Sequence, residues 1–62
     1  MHKINERESY TAVRRRKKIT LREIAEYIGC SVSLISQYEN GSNRILPDKV
    51  RKYKRYIEDY KN

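Results

Sequence analysis

The segment Thr20–Gly41, TLREIAEYIGCSVSLISQYENG, constrains the fold more than any other part of the chain. Thr20 and Glu23 have the Thr-x-x-Glu spacing of a capping box, in which each side chain takes up a backbone N–H left free at a helix start. Leu21, Ile24, Ala25 and Ile28 follow at helical spacing and predict one buried face. Gly29 ends that helix, because it enters a left-handed conformation at little steric cost. Ser31 then caps a second helix carrying Leu34, Ile35 and Tyr38, which Gly41 terminates. Two short amphipathic helices joined by a tight turn containing Gly make a helix-turn-helix unit.

The flanks supply the rest of a small core. A helix is predicted from about Arg7 to Lys17, with Tyr10 and Val13 on one face and Ile19 in the connection; Met1–Asn5 are expected to be a loose tail. Leu46-Pro47-Asp48 opens a last helix, since Pro is tolerated in a first turn and Asp complements the helix dipole. Val50, Tyr53, Tyr56, Ile57 and Tyr60 share an arc of about 120° at 3.6 residues per turn. Val50, Tyr53 and Ile57 are expected to close the core, with Arg51, Lys52, Lys54, Arg55 and Lys61 on the opposite side. The predicted fold is all-α: one compact four-helix domain over residues 1–62 with its helix-turn-helix at 20–41.

The order Ala25, Gly29, Ser31, Ile35, Ser36, Tyr38, Glu39, Gly41 resembles the helix-turn-helix of Cro and lambda-repressor-like proteins, the xenobiotic-response-element type. The resemblance implies a lambda-repressor-like fold whose third helix enters a DNA major groove. It assigns base readout to Ser31, Val32, Ser33, Ser36 and Gln37. Gln37 can pair with adenine N6 and N7, Val32 can pack on a thymine methyl, and the two inner serines can bond a base or a phosphate. Leu34 is open between core edge and a second methyl contact. Phosphate contact is expected of Thr20, Lys17, Lys18, Asn40, Ser42, Asn43 and Arg44. The run Arg14–Lys18 reads equally as a solvated helix end, where cations suit the dipole. The resemblance also implies that Arg14 and Glu39 form a structural ion pair fixing the first helix to the third. Tyr56 and Tyr60 are open between a dimer contact and core edge. Relatives commonly continue with a fifth helix, which is not expected here.

Charge agrees with such a partner. Fifteen Lys and Arg against eight Asp and Glu give a net charge of +7, suited to a polyanion. One Cys allows no internal disulfide and is compatible with a reducing cytoplasm. Cys30 is expected to pack as a small hydrophobe and Tyr27 to be partly exposed. His2 and Cys30 are too few for a metal site. No metal or cofactor is expected, nor a membrane span, a secretory leader or an enzyme's carboxylate pair or nucleophile–base set. The expected activity is sequence-specific binding of double-stranded DNA by a transcriptional regulator, most simply a repressor. A homodimer on an inverted-repeat operator is expected, with a bacterial, phage or mobile-element source. The alternative is a protein-interaction module on the same scaffold, an antirepressor or an inhibitor of a nucleic-acid-binding protein.

Overall fold

In the computed structural model, which describes residues 5–61, four helices follow in order: α1 Glu6–Arg16, α2 Leu21–Ile28, α3 Val32–Asn40 and α4 Pro47–Asp59. There is no strand among the described residues. Residues 1–4 of the expected tail, His2 included, lie outside the described residues. Asn5 is not a tail residue: its Oδ1 accepts from Glu8 N at 2.8 Å and caps α1, which therefore starts one residue earlier than predicted.

Thr20 and Ser31 cap α2 and α3, accepting from Glu23 N and Leu34 N at 3.1 Å each. The capping box of α2 is only half made. No hydrogen bond joins the Glu23 carboxylate to the Thr20 N–H among the described residues. Glu23 Oε1 is enclosed without a partner, and the carboxylate's charge acts on Tyr56. Leu46 stands at the N-cap of α4 without a side-chain cap, and Pro47 in the first turn removes one of the N–H groups that would need one.

The first three helices end alike, with the chain turning through a left-handed residue so that late carbonyls are satisfied. Gly29 (φ +87°) and Gly41 (φ +79°) serve α2 and α3. At the end of α1 the position belongs to Lys18 (φ +61°), with Lys18 N bonded to Arg15 O and Ile19 N to Arg14 O, both at 3.1 Å. A side chain in this conformation is strained, so Lys18→Gly is expected to raise stability by roughly 0.5–1 kcal/mol. The check is the midpoint of urea unfolding; an unchanged midpoint would mean that the turn holds Lys without cost.

α2 packs on α3 and α4, and α1 packs on the same two helices, closing a circuit around the core. Ile19, Ile24, Ala25, Ile28, Ile35, Tyr53 and Ile57 are buried at its centre. Tyr10, Val13, Leu21, Cys30, Tyr38, Tyr56 and Tyr60 ring them. Two expectations change. Leu21 is only half-buried because it sits in the first turn of α2, at the rim. Val50 is half-buried and lies outside the core cluster, so of the three only Tyr53 and Ile57 reach the core.

Candidate nucleic-acid interface

α3 carries the outward face that the sequence singles out, and its position is fixed by one apolar and one polar anchor. The apolar anchor is Ile35, the one fully buried residue of the helix. The polar anchor is Glu39. Arg14 Nε donates to Glu39 Oε2 at 2.6 Å and Arg14 Nη2 to Oε1 at 3.0 Å, a two-pronged pair. Arg14 Nη1 donates to Ile19 O at 2.7 Å, tying the turn after α1 into the same cluster. The Tyr53 hydroxyl donates to Glu39 Oε2 at 2.6 Å and lies 3.3 Å from Thr11 Oγ1. Thr11 in turn donates to Arg7 O at 2.9 Å. Residues from α1, α3 and α4 thus meet around one carboxylate.

The sequence pairs Arg14 with Glu39 and places Tyr53 in the core, where it lies, but it does not show that Thr11 and the Tyr53 hydroxyl join this cluster. Nothing beside Thr11 in sequence marks it as buried, and the Tyr53 ring belongs to the core while its hydroxyl does not announce a partner. A buried Tyr needs a partner for its hydroxyl, and that was the available signal. Burial first, and then the bond to Glu39, push the Tyr53 phenol well above its ordinary value. Burial also raises Tyr38, against the opposing charge of Arg7. These protons stay on the folded chain while the unfolded chain loses them above about pH 10. The contribution is whole below that pH and is lost as pH rises through and beyond it. The urea midpoint is expected to fall between about pH 9 and about pH 11, less steeply for Tyr53→Phe. Equal slopes for the two proteins would contradict the assignment.

Arg7 was not singled out either. Its guanidinium covers the end of α3: Nη2 sits 3.0 Å from where a Cβ on Gly41 would stand. α3 has no basic residue in its own last turn, so Arg7 supplies from α1 the cation that a helix C-terminus favours.

On the outer side of α3, Val32, Ser33, Gln37 and Asn40 are exposed and Ser36 is half-buried. Ser33, Ser36, Gln37 and Asn40 fall within an arc of about 100° opposite Ile35. Ser31 is exposed but its Oγ is engaged as the cap. Leu34 is half-buried, at the edge. From residue 27 to residue 47 the only carboxylate is Glu39, and Arg14 neutralises it. The outer face of α3 and the loop behind it therefore present hydroxyls, amides and Arg44 with no negative charge to repel a phosphate.

The expected phosphate set divides. Thr20, Lys18, Asn40, Ser42, Asn43 and Arg44 are exposed. Lys17 must be corrected: its Nζ donates to Ile57 O at 2.7 Å and Tyr60 O at 3.1 Å, so its charge is held at the C-terminus of α4. The free carbonyls of a helix end compete well for a nearby ammonium. Asn43 is also more than a solvent-facing amide, since its Nδ2 donates to Gln37 Oε1 at 3.0 Å.

On the α2–α4 side, Tyr27 is 49% exposed and stacks on Tyr56, with ring centroids 4.9 Å apart. Tyr56 meets Tyr60 at 5.8 Å. Tyr27 thus extends the Tyr56–Tyr60 stripe that the sequence placed on α4 alone. Among the described residues no group of three or more His, Cys, Asp or Glu gathers to hold a metal. No helix among them is long and apolar enough to cross a membrane.

A helix-turn-helix family model matches residues 12–58. Comparison with curated proteins and with solved structures gives no match.

Proposed function

Because the chain belongs to the helix-turn-helix family of the Cro and C1 type, a family of DNA-binding transcription regulators, we propose that it represses transcription by occupying an operator. The observation that carries this reading is the uncharged, hydrogen-bonding outer face of α3, held by Ile35 and the Arg14–Glu39 pair. Ser31, Val32, Ser33, Ser36 and Gln37 approach base edges, with the free hydroxyls and the Gln37 amide supplying the bonds. Thr20, Lys18, Asn40, Ser42, Asn43 and Arg44 hold phosphates and set the helix in the groove.

Residues 1–62 act as a single domain, and the operative form is a homodimer joined through Tyr56, Tyr60 and Tyr27. A two-fold dimer separates its recognition helices by about 34 Å, one turn of DNA, and calls for an inverted-repeat operator. The tyrosine stripe also favours a second reading, in which it binds a different protein and the domain serves as an interaction module.

Selection of bound duplexes from a random pool at two salt concentrations separates these readings. Phosphate contacts lose affinity steeply with salt, whereas base contacts retain sequence preference. An enriched inverted repeat that persists at the higher salt supports the dimeric regulator. An enriched single half-site removes the dimer. Uniform binding that vanishes with salt removes sequence-specific regulation and leaves the interaction module.

A further inference from the structure

The left-handed turn at Gly41 folds the chain back along α3. Gly41 N donates to Tyr38 O at 3.1 Å and Ser42 N to Gln37 O at 2.9 Å. Two residues later Asn43 lies beside the Gln37 side chain, and its contacts there run in one direction. The Arg44 backbone N–H, which can only donate, reaches Asn43 Oδ1 at 2.8 Å. That leaves Asn43 Nδ2 to face α3, and it donates to Gln37 Oε1 at 3.0 Å. The polarity of the whole relay is set by a backbone group with no alternative role. Gln37 Oε1 is consequently aimed at the loop, and the Nε2 amino group, set at the other corner of the amide plane, is the end left to face outward.

A glutamine matched to adenine uses both ends, accepting from N6 and donating to N7. Guanine offers only acceptors at the same edge, N7 and O6. Resting on the reading of α3 as a base-reading helix, we infer that Asn43 is a specificity-determining residue. It holds the Gln37 amide donor-outward and makes the base facing Gln37 a guanine rather than an adenine. This revises the pairing expected from glutamine alone. It also gives Asn43 a role that a phosphate contact does not include.

The test starts from duplexes enriched by the parent chain and locates the position whose preference disappears in Gln37→Ala. Four duplexes differing only at that base pair are then competed against one another. The parent is expected to favour G·C over A·T there by about tenfold. Asn43→Ala frees the amide to rotate and is expected to reduce that ratio to below about threefold, with preferences at other positions kept. Asn43 is exposed, so its loss does not threaten the fold. Any phosphate contact it makes changes all four affinities alike and leaves the ratio untouched.

Asn43→Asp goes further. A carboxylate can still accept from Arg44 N but can now only accept from Gln37 Nε2, turning Oε1 outward. Preference is then expected to move to bases that present an amino group, adenine or cytosine. A parent that favours adenine at the Gln37 position overturns the inference and leaves base reading by α3 intact. So does a G·C preference that survives both Asn43 variants unchanged. A parent that enriches no sequence at all overturns the base-reading proposal and this inference with it.

Discussion

Glu39→Ala is expected to leave most of the chain unfolded under conditions where the parent is folded. The substitution removes the acceptor for two Arg14 donors and for the Tyr53 hydroxyl at once. Arg14 is 8% exposed, so the guanidinium cannot reach water without moving away from Ile19 O. Breaking a buried pair by deleting one partner costs about 3–5 kcal/mol. A core of this size supplies only about 3–5 kcal/mol in total. The two quantities are comparable, and the fold does not survive the loss with a margin.

The attraction itself is not the main source of stability, because desolvating two charges offsets much of it. A double replacement, Arg14→Met with Glu39→Leu, is therefore expected to recover much of what Glu39→Ala loses. Urea unfolding followed by helical circular dichroism measures both. A single variant within about 1 kcal/mol of the parent would contradict the anchor role of Glu39.

Ile35→Ala is the second large effect. α3 is short, and Ile35 is its one fully buried residue, a member of the same core cluster as Ile24, Ile28 and Tyr53. Truncation leaves a cavity and is expected to cost about 2–5 kcal/mol, against about 0.5–1.5 kcal/mol for Ile35→Val. Because the deleted carbons are the apolar grip that holds α3, any sequence discrimination made through this helix should fall with stability. Ligand binding adds stability in proportion to its affinity for the folded form. A saturating duplex selected by the parent is thus expected to raise the melting temperature of Ile35→Val markedly and that of Ile35→Ala far less. Similar urea midpoints for the Ala and Val variants would show that α3 is held by other contacts.

The parts of this arrangement that depend on local chemistry could be read from the chain. Thr20, Ser31, Gly29 and Gly41 each mark a helix end by a property of the residue itself, so α2 and α3 emerge with their bounds. Helical spacing located Ile24, Ala25, Ile28 and Ile35 for the same reason. Asn5 has the chemistry of a cap but stands among polar residues that do not announce a helix, and so it reads as tail.

Residues whose role depends on a distant partner were harder. Nothing near Lys17 in sequence indicates that Ile57 O and Tyr60 O lie within its reach. Thr11 and Tyr53 are 42 positions apart, and only packing brings their hydroxyls within 3.3 Å of one another, with Tyr53 reaching the Glu39 carboxylate. Asn43 is close to Gln37 in sequence, yet their contact depends on the reversal at Gly41. Arg14 and Glu39 were legible through family resemblance, since spacing alone gives no reason to pair them. Val50 followed the helical arc of α4 but sits too near the start of that helix to reach the centre.

DNA is expected to meet the outer face of α3 and the loop behind it. The most direct test is titration of the isotope-labelled protein with a selected duplex, following backbone amide resonances. The largest shifts are expected at residues 31–37 and 40–44 and at Lys18 and Thr20, with Ile24 and Ile57 little changed. Shifts concentrated instead at Tyr27, Tyr56 and Tyr60, with α3 silent, would contradict this placement and assign nucleic-acid contact to the α2–α4 side.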